Sequence, residues 1–528
     1  MRKFLRNLFS GYFFVLLMLL AELLAIAFGQ NIIDNIISNI VSSEQYSEMS
    51  RLLTVLIYLF VRFIVFIIAI IIFFKIVNKD EDPEFKIPWI VLMILLPFFC
   101  SIMFLVFGNH GLRKKDSIII TESQEAYFQN VDLTKREVFK ETLGNAYGAF
   151  NYIFNTTKLM AHKGNRITYF KSGEEFFPQM IEDLKLAKEF IFMEFFIIAD
   201  GELWNQVTDI LIQKAKEGVE IKIVYDDMGC GGTISHRTPR ILGKYGIKCY
   251  KFHPFRPLLS GMYNNRDHRK IVVIDHQFGY TGGMNLGDEY ANIEKRFGYW
   301  KDTMIKIEGS AINNLISIFL QNYSMASGKV DDYDKYLQHH YHRFEDSGYI
   351  APFGDGPGGI DDALVGEQNY INIINFAQEE VYISTPYLIP TYGLIDAMRN
   401  AALRGVKVHL IVPGIPDKRL IYTIGSSNFR YLLDAGVHIY RYSPGFNHMK
   451  SCLADSKMAF IGTINFDFRS LVHHFECGAL MYDVSCIKDI EADFKQMLYE
   501  SEEVPEDFHL KGMKKRLCAV AKLITPLL

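Results

Sequence analysis

The sequence predicts an α/β protein with two similar halves behind apolar N-terminal helices. Three observations support this prediction: long apolar segments fill the first hundred residues, helix and strand patterns alternate after about Gly164, and one pattern of reactive residues occurs twice. We therefore expect a membrane anchor at 1–115, two α/β halves at 116–335 and 336–500, and a C-terminal tail at 501–528.

Composition limits the classes of function. The chain has 528 residues, is 49% hydrophobic and has a mean hydropathy of +0.08, which is high for a purely soluble protein. A net charge of -4 and a pI near 6.4 give no electrostatic reason to bind nucleic acid. The seven cysteines are scattered without a CxxC pair, so the sequence predicts neither a disulfide framework nor a zinc site.

Three N-terminal segments are long and apolar enough to cross a bilayer: residues 11–28, Leu52–Val77 and 87–107. Glu22 and Arg62 lie within the first two segments and would be costly in lipid. Either the two side chains pair with each other or lie near a water-filled surface, or each simply lies near a helix end.

Basic clusters at residues 2–6 and 113–115 flank this region, and both favour the cytoplasm. Three crossings would put the two clusters on opposite sides of the membrane. Either one segment lies in the interface or re-enters, or the charge rule fails at one end. We expect the former, with an even number of crossings and a cytoplasmic catalytic part.

The remainder alternates between helical and strand periodicity. In the first half "GEEFFPQMIEDLKLAKEF" has helical spacing and is followed by the buried strand "IFMEFFII"; the second half repeats the rhythm with "VYISTPYLI", "LIDAMRNAALRG" and "VKVHLIVPG". A polar segment connects the halves. Its His339, His340 and His342 have no supporting ligands nearby, so we interpret it as a solvated linker rather than a metal site.

The repeated pattern starts with His-x-Lys in "HRKIVVIDHQFGYTGGMN" and again in "HMKSCLADSKMAFIGTIN". Side chains two apart on a strand share a face, so His and Lys project together and can hold an anion. A solvated strand edge would explain one copy, but two copies with identical spacing indicate an internal duplication. The matching residues are His268, Lys270, Asp275, Gly282 and Asn285 in the first copy and His448, Lys450, Asp455, Gly462 and Asn465 in the second.

This duplicated motif resembles that of the phospholipase D superfamily. The stretches "NNRDHRKIVVID", "GYTGGMNLGDEY" and "NFDFRS" are similar to those of bacterial cardiolipin synthases, and the resemblance covers roughly residues 165–528. It implies two phospholipase D-like lobes packed as a pseudo-dimer behind transmembrane helices. The chain departs from the family pattern in having three apolar segments instead of two, Thr463 where the first copy has Gly283, and His474 where Asn is common.

Phosphodiester chemistry suits these residue types. A catalyst must neutralise the phosphate oxygens, attack phosphorus and protonate the leaving alkoxide. One neutral imidazole can attack to form a phosphohistidine while the other donates a proton, and an unperturbed pKa near 6.5 makes both forms accessible. Lysine and asparagine would bind the non-bridging oxygens without any metal or other cofactor; these residues are Lys270, Lys450, Asn285 and Asn465.

The resemblance also assigns roles to individual residues. It implies one shared site in which His268 is the nucleophile, His448 handles protons, and Asp275 and Asp455 orient structure. Each histidine also needs a carboxylate on its far nitrogen. The candidates are Asp302 for the first half and Glu476 for the second, and the alternative for each is an ordinary surface carboxylate.

The implied reaction joins two phosphatidylglycerol molecules into cardiolipin and glycerol at the bacterial plasma membrane. The alternatives are another phosphatidyltransferase of this type, a membrane-bound phosphodiesterase or nuclease, and a non-catalytic scaffold, which the intact motifs disfavour. The tail "LKGMKKRLCAVAKLITPLL" is basic and amphipathic, with Met513, Leu517, Val520 and Ile524 on one face. Contact with anionic lipid and packing on the second half both explain this pattern.

Overall fold

The structure is a computed structural model that describes residues 20, 22, 31, 35, 48–79, 81–108, 111–130, 140–254, 264–357 and 363–527. The chain divides into two compact units. One unit contains the apolar N-terminal region and the chain from Lys522 onwards, and the other runs from Gly111 to Ala521 except for residues 255–263.

The apolar unit contains three helices within the described residues after position 47: α1 (Glu48–Val77), α2 (Pro83–Leu95) and α3 (Pro97–Phe107). Helix α1 includes the 26 residues Leu52–Val77, the one candidate membrane span found in the described part of the chain. At 1.5 Å per residue such a helix is about 39 Å long, enough to cross a hydrocarbon core of about 30 Å. The predicted segment 11–28 lies outside the described residues, apart from positions 20 and 22.

The candidate segment 87–107 is two short helices and not one continuous helix. The helix breaks at Leu96, whose φ of -139° and ψ of 71° are not helical, because Pro97 lacks an N–H and crowds the residue before it. The rings of Trp89 and Phe104 lie 5.3 Å apart, so α2 and α3 fold back on each other. Each is too short to cross a bilayer.

Glu22 and Arg62 do not pair with each other. The Glu22 carboxylate accepts hydrogen bonds from the backbone N–H groups of Phe98 and Phe99, at 3.0 and 2.6 Å. These N–H groups lie in the first turn of α3, where the helix dipole favours a negative charge. Arg62 donates instead to the Tyr58 hydroxyl at 3.3 Å.

The larger unit consists of alternating strands and helices, as the sequence predicts. Its elements up to the linker are α4 (Lys114–Gln129), α5 (Tyr147–Thr157), β1 (His162–Lys163), β2 (Arg166–Phe170), α6 (Gly173–Leu186), β3 (Phe190–Phe195), α7 (Glu202–Lys216), β4 (Glu220–Asp226), α8 (Thr238–Gly243), β5 (Lys248–Phe252), β6 (Lys270–Ile274), β7 (Phe278–Gly282), β8 (Tyr299–Lys301), β9 (Met304–Glu308) and α9 (Ile312–Ser327).

The second set of elements repeats this alternation. It comprises α10 (Tyr333–Tyr336), β10 (Tyr349–Asp355), α11 (Val365–Phe376), β11 (Glu380–Ser384), β12 (Leu388–Ile389), α12 (Tyr392–Leu403), β13 (Lys407–Pro413), α13 (Arg419–Ser426), α14 (Phe429–Leu433), β14 (His438–Tyr442), β15 (Gly445–Asn447), β16 (Ser451–Ala454), β17 (Met458–Gly462), β18 (Phe466–Asp467), β19 (Glu476–Tyr482), α15 (Ile487–Tyr499), β20 (Ser501–Glu503) and α16 (Gly512–Ile524).

The sequence duplication corresponds to a duplication of sheet topology. The first sheet has the order β2-β9-β7-β6-β3-β4-β5, and seven strands of the second follow the matching order β10-β19-β17-β16-β11-β13-β14. In both sheets the last three strands are parallel and the other neighbours are antiparallel. Strand β1 and strand β20, which falls in the range expected for the tail, add to the edges of the second sheet.

Short backbone pairings connect the halves close to the two motifs. Strand β8 pairs in parallel with β15, and an isolated parallel bridge joins Asp267 to Phe475. The large buried cluster contains side chains of both sheets, including Phe192, which stacks on Phe319 of α9 with ring centroids 4.6 Å apart. Because β6 and β16 follow the two His-x-Lys sequences, these pairings bring each motif next to backbone of the other half.

Candidate active site

The backbone places each motif histidine against the opposite half of the unit. The His268 N–H donates to the carbonyl oxygen of Phe475, and the His448 N–H donates to that of Lys301, both at 2.8 Å. The residues that follow these two carbonyls are Glu476 and Asp302. The same geometry therefore occurs twice, with the halves exchanged.

The histidine–carboxylate pairs consequently cross between the halves. His268 Nδ1 lies 2.9 Å from both carboxylate oxygens of Glu476, and His448 Nδ1 lies 2.6 Å from Asp302 Oδ2. The prediction that each carboxylate serves the histidine of its own half is wrong. Position in the sequence does not show which half the end of a strand faces. The β8–β15 pairing and the Asp267–Phe475 bridge place each carboxylate beside the histidine of the other half.

The contact with Glu476 determines the state of His268. Burial acts to raise the pKa of Glu476, but its charge interaction and hydrogen bond with His268 hold that pKa well below the usual range. An ionised carboxylate only accepts hydrogen bonds, so Nδ1 of His268 carries the proton and Nε2 keeps its lone pair. A neutral imidazole in this tautomer is suited to nucleophilic attack.

Both histidines are more strongly perturbed than the sequence suggests. Burial lowers the pKa of His268 to about 3 and that of His448 to about 4, despite the opposing effect of the carboxylates. Both imidazoles are therefore neutral at pH 7 in the free protein. The expectation of unperturbed values near 6.5 is wrong, because it ignores desolvation.

The two motif lysines lie beside the histidines in the same buried cluster. Lys270 Nζ donates to the His268 carbonyl oxygen at 2.7 Å; Lys450 Nζ donates to the His448 carbonyl oxygen and lies 2.7 Å from its Nδ1. Burial lowers the pKa of Lys270 to about 8 and of Lys450 to about 7. Lys270 interacts electrostatically with the carboxylates of both halves, so the two motifs contribute to one cluster.

The motif asparagines make different contacts in the two halves. Asn285 accepts from the N–H of Ile197 at 3.0 Å and donates to the Tyr290 hydroxyl at 2.6 Å. Asn465 donates to Ser470 Oγ at 3.1 Å, and its buried Oδ1 has no partner among the described residues. Both amides therefore support neighbouring loops of the site.

The motif aspartates lie away from the histidines. Strand β6 has five residues, which separates Asp275 from Lys270 by roughly 17 Å. Each aspartate has positive φ, 51° and 49°, and accepts three backbone hydrogen bonds. The donors are Lys188, Glu189 and Phe190 for Asp275, and Gln378, Glu379 and Glu380 for Asp455. Both side chains thus hold turns at the entry to the neighbouring strand.

Aromatic side chains around the histidines account for their desolvation, and the sequence reasoning missed them. The ring centroid of His448 lies 5.6 Å from Tyr290, 5.4 Å from Trp300 and 5.6 Å from Phe446. That of His268 lies 4.9 Å from Phe196. Phe196 directly follows the buried strand β3, and Trp300 lies two residues before Asp302, which are the sequence signals for these two residues.

The departure at Thr463 has a structural role. Its hydroxyl donates to Glu476 Oε2 and accepts from the N–H of Cys477 at 2.9 Å, so it supports the carboxylate that contacts His268. The equivalent Gly283 leaves no room for a side chain, because a Cβ there would lie 2.1 Å from Asp302 Oδ1. The two halves therefore position their carboxylates differently, one by a hydroxyl and one by close backbone approach.

His474 adds a third imidazole to the site. Its ring centroid lies 5.6 Å from that of His268, and its Nδ1 lies 3.6 Å from Glu476 Oε1. Among the described residues, His268, His474 and Glu476 could each offer one ligand atom to a metal ion, with these atoms within 4.8 Å of one another. A metal bound there would compete for the Glu476 oxygens that His268 contacts.

Two buried His–carboxylate pairs, each beside a lysine, suit phosphodiester chemistry, and the family match given next assigns the class as a phospholipase D-type phosphatidyltransferase. Residues 180–316 and 370–498 match the family described as "Cardiolipin synthase, PLD-like domain". The chain belongs to this family, which confirms the resemblance noted in the sequence.

Individual relatives agree with this assignment. Cardiolipin synthase 2 of Bacillus anthracis is 34% identical over 475 residues, covering 87% of this chain and 90% of the relative. An uncharacterized protein of Streptococcus mutans is 41% identical over 460 residues, covering 86% and 98%. The crystal structure of a phosphatidylserine synthase from Haemophilus influenzae Rd KW20 shares the fold, with a TM-score of 0.54, 16% identity, and coverage of 72% of this chain and 100% of that one.

Proposed function

We propose that this protein transfers a phosphatidyl group from one phosphatidylglycerol molecule to another, giving cardiolipin and glycerol. Membership of the family and relatives named as cardiolipin synthases support this proposal. The observation that carries it is the crossed pairing of His268 with Glu476 and His448 with Asp302. Crossing supports a pseudo-dimer with one shared site, because neither half holds a complete histidine–carboxylate pair.

In the first step, Nε2 of His268 attacks the phosphorus of phosphatidylglycerol. A P–N bond forms, the P–O bond to the glycerol headgroup breaks, and the leaving oxygen takes a proton from His448. The ammonium groups of Lys270 and Lys450 neutralise the non-bridging oxygens, which are the atoms on which negative charge develops.

In the second step, His448 is neutral and accepts the proton of a headgroup hydroxyl on a second phosphatidylglycerol. That oxygen attacks phosphorus, the P–N bond to His268 breaks, and cardiolipin is released. Carboxylate contacts hold each imidazole in orientation through both steps, since Glu476 and Asp302 accept from the nitrogen opposite the reacting one.

The low pKa of His448 is compatible with its role as a proton donor. In the free site the charges of two lysines and two carboxylates balance. A bound phosphodiester adds one negative charge next to His448, which favours uptake of a proton by the imidazole. We therefore propose that substrate binding charges the acid, so that proton donation is linked to an occupied site.

We place the enzyme in the bacterial plasma membrane as a multi-pass protein with its catalytic unit on the cytoplasmic side. Helix α1 supplies one candidate crossing, and a crossing by the segment at 11–28 would make the number even. The α2–α3 hairpin fits the interfacial or re-entrant position that the basic clusters require, because neither helix is long enough to span. A membrane location suits substrates that reside in the bilayer.

The test is incubation of the full-length protein, reconstituted in vesicles, with headgroup-labelled and acyl-labelled phosphatidylglycerol. Equal amounts of cardiolipin and free glycerol are expected by mass spectrometry. Phosphatidic acid as the main product would instead indicate hydrolysis, and a phosphatidyl adduct of an added alcohol would indicate a different acceptor.

The shared site predicts that His268→Ala and His448→Ala each abolish turnover. Two independent sites would leave about half of the activity in each variant. His342→Ala is the matched control, because this exposed linker histidine lies outside the cluster, and it should retain wild-type turnover.

A further inference from the structure

The C-terminal helix α16 exposes its apolar stripe. The side chains of Met513, Leu517 and Val520 are 66%, 62% and 65% exposed, whereas Cys518 on another face is 5% exposed. The Cys518 thiol donates to the carbonyl oxygen of Thr423 in α13 at 3.6 Å. The helix therefore contacts the second half through Cys518, while three of the four stripe residues predicted from the sequence face away from it.

We propose that α16 and the start of α13 form a docking surface for an anionic lipid bilayer. The apolar members of this docking surface are Ile415, Leu420, Met513, Leu517 and Val520. On a helix the last three lie within about 60° of one another, so they can enter the acyl boundary together while the axis lies in the membrane plane.

Charge selects the lipid surface over other apolar partners. From Leu510 to Leu528 the sequence has five basic residues and no acidic residue, although the whole chain has a net charge of -4. A second copy of this helix would bring like charges together, whereas anionic headgroups complement them. Lys514 and Arg516 flank the stripe, Lys515 and Lys522 lie on the opposite side of the helix, and Lys511 directly precedes it.

Helix α13 extends the same surface. It begins with the exposed basic residues Lys418 and Arg419, and the next side chain, Leu420, is 72% exposed. Thr423, whose carbonyl oxygen accepts from Cys518, lies one turn later in the same helix. Helix α13 and the middle of α16 are therefore in contact, and both carry exposed basic and apolar side chains.

Continuity of the chain also favours a membrane location for α16. Its last residues, from Lys522, belong to the compact unit that contains the apolar helices. Within that unit the final turn Thr525–Leu527 lies beside α2. The residues that follow Ala521 in the sequence therefore belong to the unit that carries the candidate membrane span.

The docking surface adjoins the candidate active site. Tyr387 donates from its hydroxyl to Asp417 at 2.7 Å, just before α13, and lies near Tyr290. The ring of Tyr290 in turn lies 5.6 Å from that of His448. Docking through α13 and α16 would therefore bring the edge of the site to the lipid surface, from which bilayer substrates enter.

The test uses the full-length protein with single spin-labelled cysteines in nanodiscs made of equal parts phosphatidylglycerol and phosphatidylcholine. The seven native cysteines are buried and react slowly. Labels at Met513→Cys, Leu517→Cys and Val520→Cys should show an oxygen-to-nickel accessibility ratio several-fold above that of Lys515→Cys on another face. Leu186→Cys, an exposed leucine on the acid-rich helix α6, is the matched control and should report water.

Ratios at the stripe equal to the Leu186 control would overturn the proposal. Spin–spin broadening between labelled copies would also overturn it, because it would identify a second copy as the occupant. In nanodiscs of phosphatidylcholine alone the stripe should be shallower, and an unchanged depth would refute the role of the basic residues.

A second experiment measures enzyme turnover. It rests on the proposed function, and its failure can be distinguished from a failure of the labelling experiment. The combined variant Met513→Ser, Leu517→Ser and Val520→Ser should lose turnover of phosphatidylglycerol in vesicles but keep that of a monomeric short-chain phosphatidylglycerol. Equal loss on both substrates would show that the stripe serves folding, and would overturn the docking assignment.

Discussion

The crossed carboxylates predict that Glu476→Gln and Asp302→Asn impair different steps. Glu476 contacts His268 at 2.9 Å through both oxygens, so in the proposed mechanism it stabilises the positive charge that develops when this imidazole attacks phosphorus. Two unit charges about 4 Å apart at an effective dielectric constant of about 20 interact by about 4 kcal/mol, which corresponds to roughly 10³-fold in rate. By the same argument, we expect Asp302 to affect proton transfer by His448 by a similar factor.

A substrate with a leaving group that needs no protonation separates the two effects. With phosphatidyl-p-nitrophenol in a rapid-quench assay, Glu476→Gln should slow the burst of p-nitrophenolate about 10³-fold, whereas Asp302→Asn should leave the burst near the wild-type rate. Both variants should lose about 10³-fold on phosphatidylglycerol. Glu182→Gln, an exposed carboxylate, is the control for the substitution itself.

The experiment must show which histidine carries the covalent phosphatidyl adduct as well as how fast the adduct forms. If label remains on the His268 peptide while Asp302→Asn, rather than Glu476→Gln, slows the burst, then the carboxylates act within their own halves and the crossed geometry is wrong. Unchanged thermal unfolding midpoints for both variants would exclude a general loss of structure as the cause.

Three further predictions test the site. With the same activated substrate, the His448→Asn variant should accumulate a persistent, acid-labile adduct on His268, since no base remains to activate the acceptor hydroxyl. Label on His448 in the His268→Asn variant would instead identify His448 as the nucleophile. Gly283→Ala should lower activity at least about tenfold, because its Cβ would lie 2.1 Å from the orienting carboxylate, whereas Gly148→Ala, with open space around the Cβ, should not. The ratio kcat/KM for a monomeric substrate should rise as the pH falls from 7 to 5, because His448, with a pKa of about 4 in the free protein, must take up the proton that it donates, while His268, with a pKa of about 3, stays neutral. It should fall further above pH 7 as Lys450, with a pKa of about 7, loses its charge; an acid limb centred at 6.5 would contradict this.

The sequence by itself determined the duplication, the reactive residues and the class of chemistry. These features are encoded locally: the spacing from His268 to Asn285 lies within one strand–turn–strand segment, and the apolar periodicity of each strand depends on its immediate neighbours. The seven-strand order shared by the two sheets follows from repeating the same segments in the same sequence. The amphipathic character of the tail was visible for the same reason.

Only the tertiary structure decided the contacts between distant segments. The pairing of His268 with Glu476, 208 residues away, depends on how the two halves dock, and no local pattern carries that information. Burial of both imidazoles likewise comes from aromatic rings such as Trp300 and Phe446, which meet His448 from opposite halves and lower its pKa by excluding water. The free face of α16 was decided in the same way, because an amphipathic stripe shows that a helix has an apolar side but not what that side meets.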